Sequence, residues 1–140
     1  MKKKVLVCFD FEKDRHYKYL MNAWDANENF ELSFNDVTPD EIKSDSIPVI
    51  KANLTKKINL ADVTVVLVGE DAKKLHKDWR AIGYDNWQIF EIEQSKANNN
   101  AIIVVYLDSK FEAPDECYGC GAQWVYSFNE SDIVDAIKKA

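Results

Sequence analysis

The run Asp62-Val63-Thr64-Val65-Val66-Leu67-Val68-Gly69 constrains the fold of this chain more than any other feature. From Val63 to Val68 every residue is β-branched or leucine, with no polar alternation. A strand of that composition is covered on both faces, which points to a parallel sheet sandwiched between helices. Two further runs have the same character, Lys4 to Phe9 and Ala101 to Leu107. Between them the pattern changes period. Tyr17, Leu20, Met21 and Trp24 fall at helical spacing, as do Ile47, Ile50, Leu54 and Ile58, the latter with Pro48 in the first turn and Ser46 as the capping candidate.

The remaining segments complete the order. Glu31 to Phe34 alternates as a half-covered edge strand, and Asn35 to Ser46 is polar and acidic, a loop. A helix is predicted from Asp85 to Ala97, because Asp85 and Gln88 stand at capping-box spacing. Gln123 to Phe128 reads as a fifth strand, and Asn129 caps a last helix that turns Ile133, Val134 and Ile137 inward. Strands separated by helices need crossover connections. The economical solution is an α/β, flavodoxin-like, doubly wound sheet of five parallel strands, with residues 1–140 as a single domain. Ligands of such sheets sit beyond the carboxyl ends of the strands, so the segments to search are Asp10–Arg15, Asn35–Ser46, Gly69–Trp87 and Asp108–Ala122.

Composition narrows the partners. Eighteen Lys and Arg against 24 Asp and Glu leave a net charge of −6, which disfavours nucleic acid and anionic lipid. Three cysteines are too few for a secreted disulfide scaffold, and the apolar run after Met1-Lys2-Lys3-Lys4 is too short for an export signal. No run reaches the length of a membrane span. A cytoplasmic protein with no nucleic-acid and no membrane partner is expected.

Several chemistries of this fold are disfavoured by particular residues. A phosphoryl receiver has its first acids here in Asp10, Glu12 and Asp14, but strand three ends Val68-Gly69-Glu70-Asp71 and no Lys follows strand five. The loop Asp10-Phe11-Glu12-Lys13-Asp14 is too acidic to cradle a flavin phosphate. Cys117-Tyr118-Gly119-Cys120 lacks the second pair of a zinc site and precedes a strand where a thioredoxin motif opens a helix. His16 and His76 have no partner at ligand spacing, so no metal is expected. The cluster Lys73, Lys74, Lys77 and Arg80 reads as a solvated loop on the ligand side of the sheet.

The most informative segment is Trp87-Gln88-Ile89-Phe90-Glu91-Ile92. Trp87 and Glu91 are four apart on a helix and share one face. Spacing alone leaves two readings: a Trp at the edge of the core with a solvated Glu, or an apolar plate set beside a negative charge.

Trp87-x-x-x-Glu91-Ile92 resembles the W-x-x-x-E-I motif of TIR and TIR-like domains, in particular the small bacterial group that includes Thoeris antiphage-defence proteins. The opening Val5 to Glu12, the strand Val65 to Gly69 and the closing Trp124 to Phe128 agree with that resemblance in the same order. Cys8 stands where many members have Ser, and the stretch from Gly69 to Trp87 is longer than usual. The resemblance implies that Glu91 is the catalytic residue for cleaving the nicotinamide–ribose bond of NAD. It implies NAD as substrate, no separate cofactor, and a product of hydrolysis, cyclisation or transfer that signals to a separate effector. A homo-oligomer is also implied, since sites in this family are often completed by a neighbouring subunit.

The chemistry suits a lone carboxylate. The pyridinium leaves as neutral nicotinamide without a general acid, and a fixed negative charge near the anomeric carbon opposes the oxocarbenium ion. Phe9, Phe11 and Trp87 are candidates to pack on nicotinamide or ribose, and Asp10 and Asp36 to bind sugar hydroxyls. Two other functions compete: a non-catalytic TIR-like interaction module, and a nucleoside N-ribosyl or deoxyribosyl transferase.

Overall fold

Strand β1 (Lys3–Cys8) lies inside the sheet, between β2 (Phe30–Phe34) and β3 (Val63–Val68). The computed structural model describes residues 3–24, 30–34 and 46–140, leaving out the side chains at 11–12 and 32–34. Beyond β3 come β4 (Ala101–Tyr106) and the short edge strand β5 (Gln123–Val125), giving the order β2-β1-β3-β4-β5 with every pairing parallel. Val63 registers with Val5 on one side and Ala101 on the other. The doubly wound five-stranded sheet expected from the apolar runs is the observed fold.

Alternation along the strands divides the core. Val5, Val7, Val65, Leu67, Ile103 and Val105 pack against α1 (Phe11–Asn22) and α5 (Glu130–Lys139) through Met21, Ile133 and Ile137. The opposite face, carrying Cys8, Val66, Val68 and Val104, receives Ile92 of α4 (Trp87–Ala97). Helix α2 (Ile47–Asn59) joins α4 there, with Ile50 and Leu54 against Phe90. A polar pin lies within this layer. Thr64 and Ser95 hydroxyls are 2.8 Å apart, and the Asn100 amide donates to Thr64 and to the Ile58 carbonyl.

Four details depart from the sequence expectations. Helix α1 begins at Phe11 directly after β1, so Asp14 stands on its first turn, not in a loop. Its buried stripe runs through Met21, while Leu20 is 51% exposed. Strand β5 stops at Val125 instead of Phe128. The Phe128 ring is held by Tyr17 at 4.7 Å and Trp24 at 5.4 Å, which turns the chain off the sheet toward α1. Finally, the polar stretch after Gly69 is not all loop: α3 (Trp79–Ile82) buries Ile82 against Ile50, Leu54 and Phe90, and ends at Gly83 with φ 87°. That left-handed conformation suits glycine. The acidic segment 35–45, with Asp36, lies outside the described residues.

Candidate active site

The carboxyl ends of β1 and β3 mark the point where the winding of the sheet reverses, since β1 is followed by β2 on one side and β3 on the other. Helix α4 starts over this point. Its N-cap is Asn86, whose Oδ1 accepts from the Ile89 N–H at 2.8 Å. The Asn86 amide nitrogen also donates to the carbonyls of Ala72 and Lys74, both at 3.0 Å, tying the helix start to the loop after β3. Asp85 is therefore not the cap, and Gln88 is released from the capping role its spacing suggested.

Gln88 instead fastens the helix to the sheet. Its Nε2 donates to the Leu67 carbonyl at 2.8 Å and to the Cys8 carbonyl at 3.4 Å, and the Cys8 thiol donates back to the Gln88 carbonyl at 3.5 Å. One turn on, Glu91 is only 6% exposed and faces the same thiol. Burial first, then the charge of Glu91 and its hydrogen bond, push the Cys8 thiol well above its ordinary value, so it is a neutral donor. Of the two readings left open by spacing, the solvated Glu is excluded. Glu91 is a buried carboxylate held at the strand ends.

The other sequence candidates fall in different places. Trp87 is half-buried, with its ring against Phe90 at 5.7 Å and His76 at 6.5 Å. Its indole N–H is buried with no hydrogen-bond partner among the described residues. Phe9 is buried with Val7 and Met21 on the α1/α5 face, the side of the sheet opposite Glu91. Asp10 caps the turn into α1, its carbonyl accepting from the Asp14 N–H at 2.8 Å. Phe11 begins α1, with its side chain outside the description, as is Asp36. The structure thus brings Glu91, Cys8 and Gln88 together and sends Phe9 away from them.

A second buried acid occupies the same sheet end. Asp14 is 6% exposed, and its Oδ2 is buried without a hydrogen-bond partner among the described residues. It lies so close to Gly69 that a Cβ there would come within 2.0 Å of it. Burial first, then the charges of Asp10 and Asp71, raise its pKa from 3.8 to about 6. Only the ionised form carries this penalty, so the native state gains stability from the neutral acid at low pH and loses it as pH rises toward 6. Asp14→Asn should stabilise the protein above pH 6.5, by about 1–2 kcal/mol after screening, and change little below pH 4. Melting curves across that range test it.

The cysteines are free thiols. Cys117 is buried and pushed up to about 12, chiefly by burial, whereas Cys120 is half-exposed and its thiol rests on the Cys117 carbonyl at 3.3 Å. Alkylation of the native protein should therefore modify Cys120 first and spare Cys8 and Cys117 until unfolding, as peptide mass spectrometry would report.

Among the described residues, no helix is long and apolar enough to cross a membrane, and no group of three or more His, Cys, Asp or Glu could hold a metal ion. The parallel doubly wound sheet thus carries a buried, helix-borne carboxylate at its switch point. The family model "Thoeris protein ThsB, TIR-like domain" matches residues 6–112, more than half of the chain, and the chain belongs to that family. No curated protein was found to match.

Solved structures with the same fold include a prokaryotic SEFIR domain, at 16% identity and TM-score 0.59, covering 99% of this chain and 95% of that one. A 2-desoxiribosyltransferase from Leishmania mexicana has 9% identity and TM-score 0.63, covering 99% of each chain. The CMP N-glycosidase BcmB of Clostridium botulinum has 13% identity and TM-score 0.55, covering 99% of this chain and 100% of that one. Identities this low speak to the fold alone.

Proposed function

We propose that this protein is a TIR-like, NAD-processing signalling enzyme of the cytoplasm, acting in antiphage defence. It cleaves the nicotinamide–ribose bond of NAD and yields ADP-ribose or a cyclic or conjugated ADP-ribosyl messenger for a separate effector. The observation that carries this reading is the Glu91 carboxylate, buried at the carboxyl end of β1 and backed by Cys8 and by the Gln88 anchor.

In the reaction, the C–N bond to nicotinamide breaks and its electron pair leaves with the ring nitrogen, neutralising the pyridinium. Positive charge then develops at the ribose C1′ and ring oxygen. Glu91 opposes that charge from a site poor in water, where a fixed carboxylate acts more strongly than in bulk solvent. The Cys8 thiol lies against the carboxylate and helps to position it. An oxygen or nitrogen nucleophile forms the new bond at C1′, an attacking O–H or N–H releasing its proton to solvent, and its identity sets the product.

Incubating the purified protein with NAD at high protein concentration, followed by chromatography and mass spectrometry, tests the proposal. Nicotinamide release is the expected result. A second reading, transfer or hydrolysis at a nucleoside N-glycosidic bond, draws support from the fold shared with the deoxyribosyltransferase and the CMP N-glycosidase. It predicts base release from nucleosides or nucleotides with no turnover of NAD. An interaction module predicts neither.

A further inference from the structure

The carboxyl ends of β4 and β5 carry an array of rings that the Glu91 site does not use. Tyr106 stacks on Tyr126 with centroids 5.6 Å apart and planes 10° from parallel, and on Trp124 at 6.1 Å and 27°. Tyr118 leans on Trp124 at 4.9 Å. Large aromatic side chains normally bury their faces. Here Tyr118 is 56% and Tyr126 68% exposed, side by side at the ligand end of the sheet.

Two concavities flank these rings. One, about 340 Å³, lies between Tyr106, Tyr118, Tyr126 and the loop residues Lys73, Ser109 and Glu112. The other, about 480 Å³, shares the same three tyrosines and runs under Trp124. Neither is lined by Glu91, Cys8 or Gln88.

The lining limits what can bind. The outer faces left open on Tyr118 and Tyr126 favour a planar heteroaromatic group, which can stack on them. The first cavity is at the small end of ligand pockets, roughly 300–1,000 Å³, which suits a nucleoside and not an extended dinucleotide. Lys73 is its one basic lining residue and is already 3.4 Å from Glu112 and 4.0 Å from Asp115. Two carboxylates against one ammonium repel a chain of phosphates, yet they offer acceptors to an exocyclic amine or to ribose hydroxyls. The Tyr106 phenol is pushed up to about 12 by burial first and then by its hydrogen bond and charge interaction with Tyr118. The Tyr106 ring therefore presents a neutral phenol at neutral pH.

We infer that the Tyr106–Tyr118–Tyr126 array is a second ligand site, separate from Glu91, that stacks an uncharged amino-purine nucleoside. This assignment does not rest on NAD cleavage.

Calorimetric titration with adenosine tests it in four proteins: wild type, Glu91→Gln, the double variant Tyr118→Ala/Tyr126→Ala, and Tyr126→Phe. Wild type and Glu91→Gln should bind with the same affinity, and Tyr126→Phe, which keeps the ring, should match them. The double variant should bind at least about tenfold more weakly, within the range measured for losing a stacked aromatic. A cooperative melting curve should show that it is still folded, since both tyrosines are surface side chains. The inference is overturned if wild type shows no saturable adenosine binding, or if the double variant binds as wild type does. Loss of binding in Glu91→Gln overturns it as well, by placing adenosine at the other site. ATP should bind more weakly than adenosine at low salt, and tighter binding of ATP would overturn the uncharged assignment. Nicotinamide release from NAD is scored separately, so failure here and failure of the NAD reading are distinguishable.

Discussion

Glu91→Gln should abolish nicotinamide release from NAD, with a loss of at least about a hundredfold, the scale seen when one preorganised electrostatic group is removed from a reacting centre. Glutamine keeps the volume of the side chain and removes its charge. The site is buried, so solvent cannot substitute for the missing carboxylate. The same substitution has a readout independent of turnover. Glu91 raises the Cys8 thiol through charge and hydrogen bonding, so Glu91→Gln should lower the pH at which Cys8 titrates. Thiol absorbance against pH in a variant lacking Cys117 and Cys120 would follow it. Equal nicotinamide release by both proteins would remove Glu91 from the mechanism. Turnover of NAD by neither, with a normal fold, would favour the nucleoside reading or the interaction module, which base release from nucleosides then separates.

Gln88→Leu should cost both stability and rate. It leaves the Leu67 and Cys8 carbonyls without the amide that bridges them inside the protein. Uncompensated buried polar groups of this kind cost about 1–3 kcal/mol. Because the bridge fixes the start of α4 against β1 and β3, its loss should also displace Glu91 one turn further on. A shift of about 1 Å at a reacting centre can lower turnover by about a hundredfold. Chemical denaturation and steady-state kinetics together check this. The expected pattern is a fall in kcat exceeding any change in KM, from protein that is still folded. Unchanged kcat in folded protein would show that α4 is held by its apolar contacts alone.

Most of the fold was legible because it is written in long, uninterrupted patterns. Val63 to Val68 is buried at every position, and a run without polar residues admits few other placements. Short elements were harder. Strand β5 pairs through three residues, and its end is decided by Phe128 docking on Tyr17 and Trp24, rings far away in sequence. Helix α3 is a single turn whose one buried residue, Ile82, leaves no periodicity to detect.

The site was legible in part. Trp87-x-x-x-Glu91 named the carboxylate, but its burial is a tertiary fact that depends on β1 arriving opposite α4. Gln88 was visible only as a capping partner for Asp85. No spacing could reveal that Asn86 caps the helix and frees Gln88 to reach two strand carbonyls. In the sequence Asp14 is one acid in a group, while its close fit against Gly69 joins residues from two crossovers.

The position of β1 in the sheet has a consequence for how the chain acquires its shape. Its first strand must accept a neighbour on each side, and one of them, Val63–Val68, leaves the ribosome much later. No two strands of the described sheet are joined by a hairpin, so each pairing waits on a distant segment. Such topologies condense slowly, and their apolar edges are open to wrong partners in the interval. While β1 waits for β3, the nascent protein carries an unfinished edge ending at Cys8, the residue against which Glu91 will later be set. The candidate site can therefore be assembled only late in folding, after α4 has been synthesised and docked.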